Sequence, residues 1–433
     1  ATNPLYTPPE ITYQVNDAGI ETIFCATALY DRLQAARPQT SIRRVIVTGE
    51  AAPTAGDLRF DDLLTEPPGE FPGAGPEDVA LLQYTGGTTG VAKGAVALHR
   101  NLVANTLQFK AWMSTLREEE ETFLLAIPVY HIYGMVCGML LGMAFRATTV
   151  VLPNPRDIPA LLQAIQTHRV TYFPAVPTLY NAINNHPDVQ AGRADLTSVK
   201  ACISGSAPLM KQTKERFERL TGGRIIEGYG LSEAPTATHC NPLQGENRFG
   251  SIGLPLPDVE AKIVSLEDGK TEMPIGEAGE LIIRSPQVMQ GYHNRPEETA
   301  IALRNGWLYT GDIARMDADG YFYIVDRKKD LIKPGGMEVW PREVEEAIAA
   351  HPKVLEVAVA GIPDDYRGET VKAWIVLRPG ETLTAEEVQA WCRERLAPFK
   401  VPTHIEFREQ LPKSTVGKIL KRELIRQEQE RGR

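Results

Sequence analysis

The sequence has few cysteines, no paired metal-ligand spacing and no long apolar run, and each shortage removes a class of protein. Five cysteines, Cys25, Cys137, Cys202, Cys240 and Cys392, are scattered over 433 residues with no C-x-x-C among them. That argues against a disulfide framework and a cysteine-bound zinc site, and it fits a reducing cytoplasm. The eight histidines form no H-E-x-x-H, so nothing points to a zinc-hydrolase helix. The longest uncharged apolar stretch, Ile132 to Phe145, stops at Arg146 and is too short to span a bilayer, which predicts a buried helix. Positive charge is in deficit: 46 Lys and Arg against 55 Asp and Glu leave a net −9. A general nucleic-acid binder is therefore disfavoured. An opening methionine is also absent, and Pro-Pro-Glu followed by Ile11, Tyr13 and Val15 reads as a turn entering a helix in mid-domain. The chain is expected to lack an N-terminal portion.

What is present is an α/β alternation. The length suggests two or three domains. From about Thr40 to Tyr229, short β-rich runs (Arg44 to Val47, Val79 to Tyr84, Val170 to Phe173, Val199 to Ser204, Arg224 to Glu227) alternate with helical stretches such as Ile158 to His168 and Leu209 to Leu220. This predicts layers around a largely parallel sheet. From Val259 the texture turns to alternating strands and glycine turns, predicting a β-rich subdomain that ends near Asp326. A compact α+β unit then follows, with a boundary at Arg327 to Lys329.

Three loops stand behind predicted strands, where open α/β sheets collect ligands. "YTGGTTGVAKG", Tyr84 to Gly94, combines glycines, threonine hydroxyls and one lysine. Glycines there suggest a close approach to the main chain, and the hydroxyls, amides and ammonium suit a polyphosphate. The Walker A spacing fails, because Lys93 follows Ala92 and precedes Gly94. "SGSAPL" (Ser204 to Leu209) and "EGYGLSEA" (Glu227 to Ala234) follow the next two strands. In the latter, Tyr229 between glycines offers a face to a flat base and Glu233 a carboxylate to Mg²⁺. Asp312 in "YTGD" sits behind a tight turn, a position suited to ribose hydroxyls. Each stretch alone also reads as an ordinary turn.

Taken in order, "YTGGTTGVAKG", "PVYHIYG", "EGYGLSEA", "GWLYTGD", "VDRKKDLIK" and "PKSTVGKILKREL" resemble the adenylate-forming superfamily of acyl-CoA synthetases, non-ribosomal adenylation domains and luciferases. "NPLYTPPE", "NPRDIPAL", "GSIGLPLP" and "PQVMQGY" draw the likeness toward bacterial long-chain fatty-acid CoA ligases. The resemblance implies a large N-terminal α/β domain with a β-rich subdomain over 1–327 and a small mobile α+β C-terminal lid over 328–433. It implies ATP, Mg²⁺ and coenzyme A as co-substrates or cofactors, and a fatty acid activated as an acyl adenylate and then transferred to coenzyme A. By the same resemblance, Thr85, Gly86, Gly87, Thr88, Thr89, Gly90 and Lys93 hold phosphates. Gly205, Ser206, Ala207, Glu227, Gly228, Tyr229, Gly230 and Ser232 line the nucleotide, and Asp312 with Arg327 grips its ribose. Thr88 and Glu233 hold the metal. Lys418, His131 and Lys333 are catalytic, Lys329 is the hinge, and Lys333, Gly335, Gly336 and Met337 meet coenzyme A. Ser232 stands where threonine is commoner, and Pro334 and Trp340 depart from the usual coenzyme A loop.

Two other enzymes compete. An amino-acid adenylation domain needs a carboxylate for the substrate ammonium, yet no Asp or Glu lies between Glu121 and Asp157, which disfavours it. An aryl-CoA ligase of the 4-coumarate type fits "PVYHIYG" as well. The glycines Gly134, Gly138 and Gly142, at helical spacing, are expected to leave room for an acyl tunnel. A cytoplasmic enzyme is expected, with room for peripheral contact at the inner membrane face and for a homodimer.

Overall fold

Strands that are apolar on both faces need cover on both sides, and that requirement organises the large domain. In the computed structural model, Tyr172–Ala175 and Ala201–Ser204 are buried at every position. They lie inside a seven-stranded sheet ordered Leu254–Pro255, Ala234–Cys240, Arg224–Leu231, Ala201–Ser204, Tyr172–Ala175, Thr122–Leu125, Thr148–Val151. The last five run parallel; the first two are antiparallel additions. The structure describes residues 1–50, 54, 56–65, 67, 69–70, 72–85, 92–364, 366–414 and 417–431, with Thr85 described by its backbone alone.

The helix Ile158–His168 shows how the cover forms. Asp157 Oδ1 accepts from the Ala160 amide at 3.0 Å, which satisfies one free donor at the helix start. Leu161, Leu162 and Ile165 then turn inward onto Phe173, Tyr180 and Phe217. Each such side chain contributes roughly 1.5–3 kcal/mol by leaving water.

A second layer of smaller sheets rims this core. Thr22–Ala26, Arg44–Thr48 and Leu58–Arg59 form a parallel sheet beside the helix Pro8–Ala18. Val79–Thr85 and Lys93–Leu98 form a hairpin whose second strand also pairs with Gly291–Tyr292. An antiparallel sheet of Glu260–Val264, Gly279–Arg284, Leu303–Arg304, Trp307–Met316 and Phe322–Arg327 is the β-rich subdomain. After Arg327 the strands Val354–Asp364, Gly368–Leu377 and His404–Phe407 build a separate sheet with the helices Pro341–Ala349, Ala385–Arg393 and Lys421–Arg431. That unit has its own apolar cores. The α/β class and the split into a larger and a smaller unit therefore match the sequence reading.

Two local expectations differ. The "GYGL" segment is not a loop: the strand Arg224–Leu231 runs through it and turns back as Ala234–Cys240. Gly230 allows this, because a Cβ there would lie 1.4 Å from the Thr236 carbonyl oxygen. The glycines of Gly134–Leu140, wound as a π-helix, and Gly142 beyond it do not leave open space at their Cα positions. A Cβ on Gly138 would sit 2.4 Å from Leu125 Cδ1, and one on Gly142 would sit 2.9 Å from Thr149 Oγ1. The small residues let the helix close directly on the sheet.

Candidate active site

The hairpin leads into the first candidate loop. Tyr84 pairs with Gly94 and Thr85 with Lys93, so the two strands hold the loop ends together. Gly86, Gly87, Thr88, Thr89 and Gly90 lie outside the described residues. Lys93 lies against Tyr292, its Nζ 5.3 Å from the ring centre, and 4.0 Å from Glu298 Oε1. The Tyr292 hydroxyl donates to Glu233 Oε1 at 2.7 Å. One tyrosine thus links the loop lysine to the carboxylate singled out for a metal.

Gly205 follows the strand Ala201–Ser204 and packs on the ring of Tyr133, which a Cβ would meet at 3.3 Å. Tyr133 is fixed by donating to the Ile203 carbonyl at 2.8 Å. Ser206 adopts φ +70°, and Ser206 and Ala207 are exposed. Glu227 is a brace for this loop: its carboxylate accepts from the Leu209 amide at 3.3 Å and the Gly250 amide at 3.2 Å. Burial raises its pKa above the ordinary glutamate value. Gly228 sits over Ile203 and Cys240, and Ser232 is half-buried at the hairpin turn.

Tyr229 donates to Asp312 Oδ2 at 2.5 Å. Burial, with Asp312 adding to it, pushes the phenol pKa well up. Asp312 faces Arg327 across paired strands, with Arg327 Nε 3.3 Å from Asp312 Oδ1. Tyrosine, aspartate and arginine therefore form one line from two sheets.

The small domain closes over this line. Gly417, at φ +75°, lies against the large domain, where a Cβ would come 2.8 Å from Thr178 Oγ1. The neighbouring turn is closed by the Ser414 amide donating to the Lys418 carbonyl at 2.8 Å. Lys418 keeps a solvent-accessible side chain, yet its ammonium stands in the crowded cleft between the domains. Burial lowers its pKa to about 8, and the cations Arg327 and Lys329 act in the same direction. His131 is held below its ordinary pKa by burial and by Lys418. The Asp326 carboxylate accepts from the Arg342 amide at 2.7 Å, a further bond between the units.

Lys333, Gly335, Gly336 and Met337 are not part of this cluster. They are exposed on the small domain, where the Lys333 amide donates to Glu369 at 2.9 Å and the Gly335 amide to the Arg367 carbonyl at 2.9 Å. Gly335 and Gly336 have φ +60° and +85°, which glycine adopts without strain.

For a metal, Glu233 Oε1 is engaged by Tyr292, while Oε2 has no hydrogen-bond partner among the described residues. No group of three or more His, Cys, Asp or Glu is gathered among them. A single carboxylate with phosphate oxygens is a donor set that suits Mg²⁺, which keeps few protein ligands.

The sequence reading missed Tyr292, Asp17, Tyr13 and Arg295. Tyr84 donates to Asp17 Oδ2 at 2.6 Å, and the Tyr13 hydroxyl donates to the Ala92 carbonyl at 2.8 Å. "TYQVNDAG" and "GYHNRPEE" carry these four residues, but no spacing rule joins them.

This fold and this line of groups define an adenylate-forming enzyme. Residues 1–293 match the AMP-binding enzyme family and residues 343–418 the AMP-binding enzyme C-terminal domain; the chain belongs to that family. It is similar to the long-chain-fatty-acid–CoA ligase of Bacillus subtilis, 43% identical over 456 aligned residues, covering 99% of this chain and 81% of that protein. The long-chain-fatty-acid–CoA ligase of Escherichia coli O6:H1 is 40% identical, covering 98% and 79%. A feruloyl-CoA synthase of Amycolatopsis is 38% identical, covering 88% and 78%. Among solved structures, ATP-bound MatB from Rhodopseudomonas palustris superimposes with a TM-score of 0.88 at 31% identity, covering 98% of this chain and 82% of that one. Apo MatB, at the same identity and coverage, gives 0.74. The chain as a whole thus superimposes better on the ATP-bound protein than on the apo one. Among the described residues no helix is long and apolar enough to cross a membrane.

Proposed function

We propose that the chain activates a fatty acid with ATP and passes it to coenzyme A, working as an AMP-forming acid–thiol ligase. The carboxylate joins the α-phosphate of ATP as pyrophosphate leaves, and the thiol of coenzyme A then takes the acyl group as AMP leaves. The carrying observation is that Arg327 lies 3.3 Å from the Asp312 carboxylate on paired strands and that both, with Lys329, act electrostatically on Lys418, which in turn acts on His131. Two anions can meet there because fixed cations offset their repulsion.

In this reading Tyr229 offers its ring to adenine, and Asp312 with Arg327 binds ribose hydroxyls. Thr85 to Gly90 and Lys93 hold the departing phosphates. Glu233 and Thr88 would hold Mg²⁺, which when bound supplies charge neutralisation at the phosphates. His131, whose neutral form is favoured by burial and by Lys418, stands beside the acid. The domains are 1–327 and 328–433, turning about Lys329. The second state presents Lys333, Gly335, Gly336 and Met337 to coenzyme A. A fatty substrate also favours work at the inner membrane face, which co-sedimentation with lipid vesicles reads. Sedimentation velocity reads a homodimer.

Turnover across acids from acetate to oleate, with coumarate and an amino acid as comparators, tests the substrate. Medium to long fatty acids should give AMP and thioester. Preference for coumarate would move the assignment to an aryl acid.

A further inference from the structure

Both flanks of the proposed phosphate loop are bolted to the helix Pro8–Ala18, which neither the motif nor the proposed chemistry includes. Before the loop, Tyr84, 8% exposed, donates to Asp17 Oδ2 at 2.6 Å. After it, the Ala92 carbonyl accepts from Tyr13 at 2.8 Å. Tyr13 and Asp17 stand four residues apart, on one face of the helix. Arg295 joins them: its Nη2 lies 3.0 Å from Tyr13 Oη and 3.2 Å from Asp17 Oδ1. His293 Nε2 lies 3.0 Å from the Asp17 carbonyl, and the His293 amide donates to the Gly94 carbonyl at 2.8 Å. Gly94 completes the arrangement, because a Cβ there would press on the Tyr84 ring at 3.1 Å. The ring therefore lies across the base of the loop with its hydroxyl aimed at Asp17.

We propose that Asp17 is a positioning residue for the ATP phosphates, acting through Tyr84 and, with Tyr13 and Arg295, fixing the spacing of the two loop ends. The inference rests on the reading of residues 85–93 as the phosphate loop. A glycine-rich segment is costly to order. Fixing the flanks Tyr84 and Ala92 sets the spacing from which the phosphate-binding groups are presented, so affinity for ATP rises.

The test measures the two half-reactions separately on the full chain. Adenylate formation is followed by pyrophosphate exchange, and thioester formation starts from a supplied acyl adenylate. That intermediate has no β- or γ-phosphate, so the loop has nothing to hold in the second assay. Asp17→Ala is expected to raise KM for ATP on the order of ten- to a hundredfold, as loss of a charge-assisted hydrogen bond does. The second half-reaction should stay within about twofold. Asp17→Asn, which keeps an acceptor for Tyr84, and Tyr84→Phe, which keeps the ring over Gly94, should give smaller rises in the same parameter. Equal losses in both half-reactions, or an unchanged KM for ATP in all three variants, overturns the clamp. Lys93→Ala separates the two readings. No ATP effect there overturns the loop assignment, whereas a raised KM there with silent Asp17 and Tyr84 variants overturns only the clamp.

Discussion

Tyr229 and Asp312 come from different sheets and meet in a hydrogen bond of 2.5 Å from phenol to carboxylate. The same carboxylate faces Arg327 at 3.3 Å, so one aspartate orients both the ring proposed for adenine and the guanidinium proposed for ribose. Tyr229→Phe keeps the ring and loses one hydrogen bond, so KM for ATP should rise only about three- to tenfold. Asp312→Ala leaves a phenol and a guanidinium without their acceptor and should raise it on the order of a hundredfold. Steady-state kinetics with varied ATP reads both. Equal effects would mean that Asp312 acts only through Tyr229.

The role proposed for Lys418 predicts a pH limit for the reaction. Burial lowers its pKa to about 8, so the ammonium present at pH 7 is lost as pH rises through that value. A cation is needed opposite the phosphate, so kcat/KM for ATP should fall above about pH 8. Lys418→Arg, which stays charged, should carry the falling limb to higher pH even if its rate is lower. A pH profile of adenylate formation for both proteins decides this. Burial of the charged lysine also costs stability, and the folded state releases its proton more readily than the unfolded one. That contribution makes the fold relatively more stable as pH rises between about 8 and the ordinary lysine value.

The glycine stripe is a packing device. Gly138→Ala places a methyl against Leu125, where the unrelaxed contact would be 2.4 Å. Overpacking of this kind costs about 1–3 kcal/mol. Thermal melts should show the loss, while the preference among acids of different chain length stays unchanged. A shortened preference with an unchanged melting temperature would restore the tunnel reading for this face.

Gly230 is under a stricter limit. No side chain fits where a Cβ would stand 1.4 Å from the Thr236 carbonyl oxygen, so Gly230→Ala should prevent the hairpin from closing. Soluble yield and far-UV circular dichroism report it; a well-folded Gly230→Ala protein would contradict the described hairpin.

How much of this was readable before folding depends on the reach of each signal. Ile158–His168 was legible to the residue, because cap, period and terminus are all local. Of the five parallel strands of the large sheet, Tyr172–Ala175, Ala201–Ser204 and Arg224–Leu231 lie within a few residues of the predicted runs, whereas Thr122–Leu125 and Thr148–Val151 are not among those runs. The "GYGL" part of its strand was not legible, because its glycines read as a loop until the Thr236 carbonyl explains one of them. The glycine stripe showed small residues but not that Leu125 and Thr149 fill the space beside them. The Asp17 to Tyr84 bond joins residues 67 apart, and no local pattern announces such a pair.

In the proposed cycle two surfaces serve two steps, one around Lys418 and one around Gly336. The most direct measurement determines both half-reaction rates for Lys418→Ala and Gly336→Leu. Gly336 has φ +85° with open space around it, so the leucine strains one exposed turn without displacing core. Lys418→Ala should lose adenylate formation but still convert a supplied acyl adenylate to thioester. Gly336→Leu should form adenylate and pyrophosphate normally but fail to pass the acyl group to coenzyme A. If each substitution lowers both rates by the same factor, the two steps share one surface and the account is wrong.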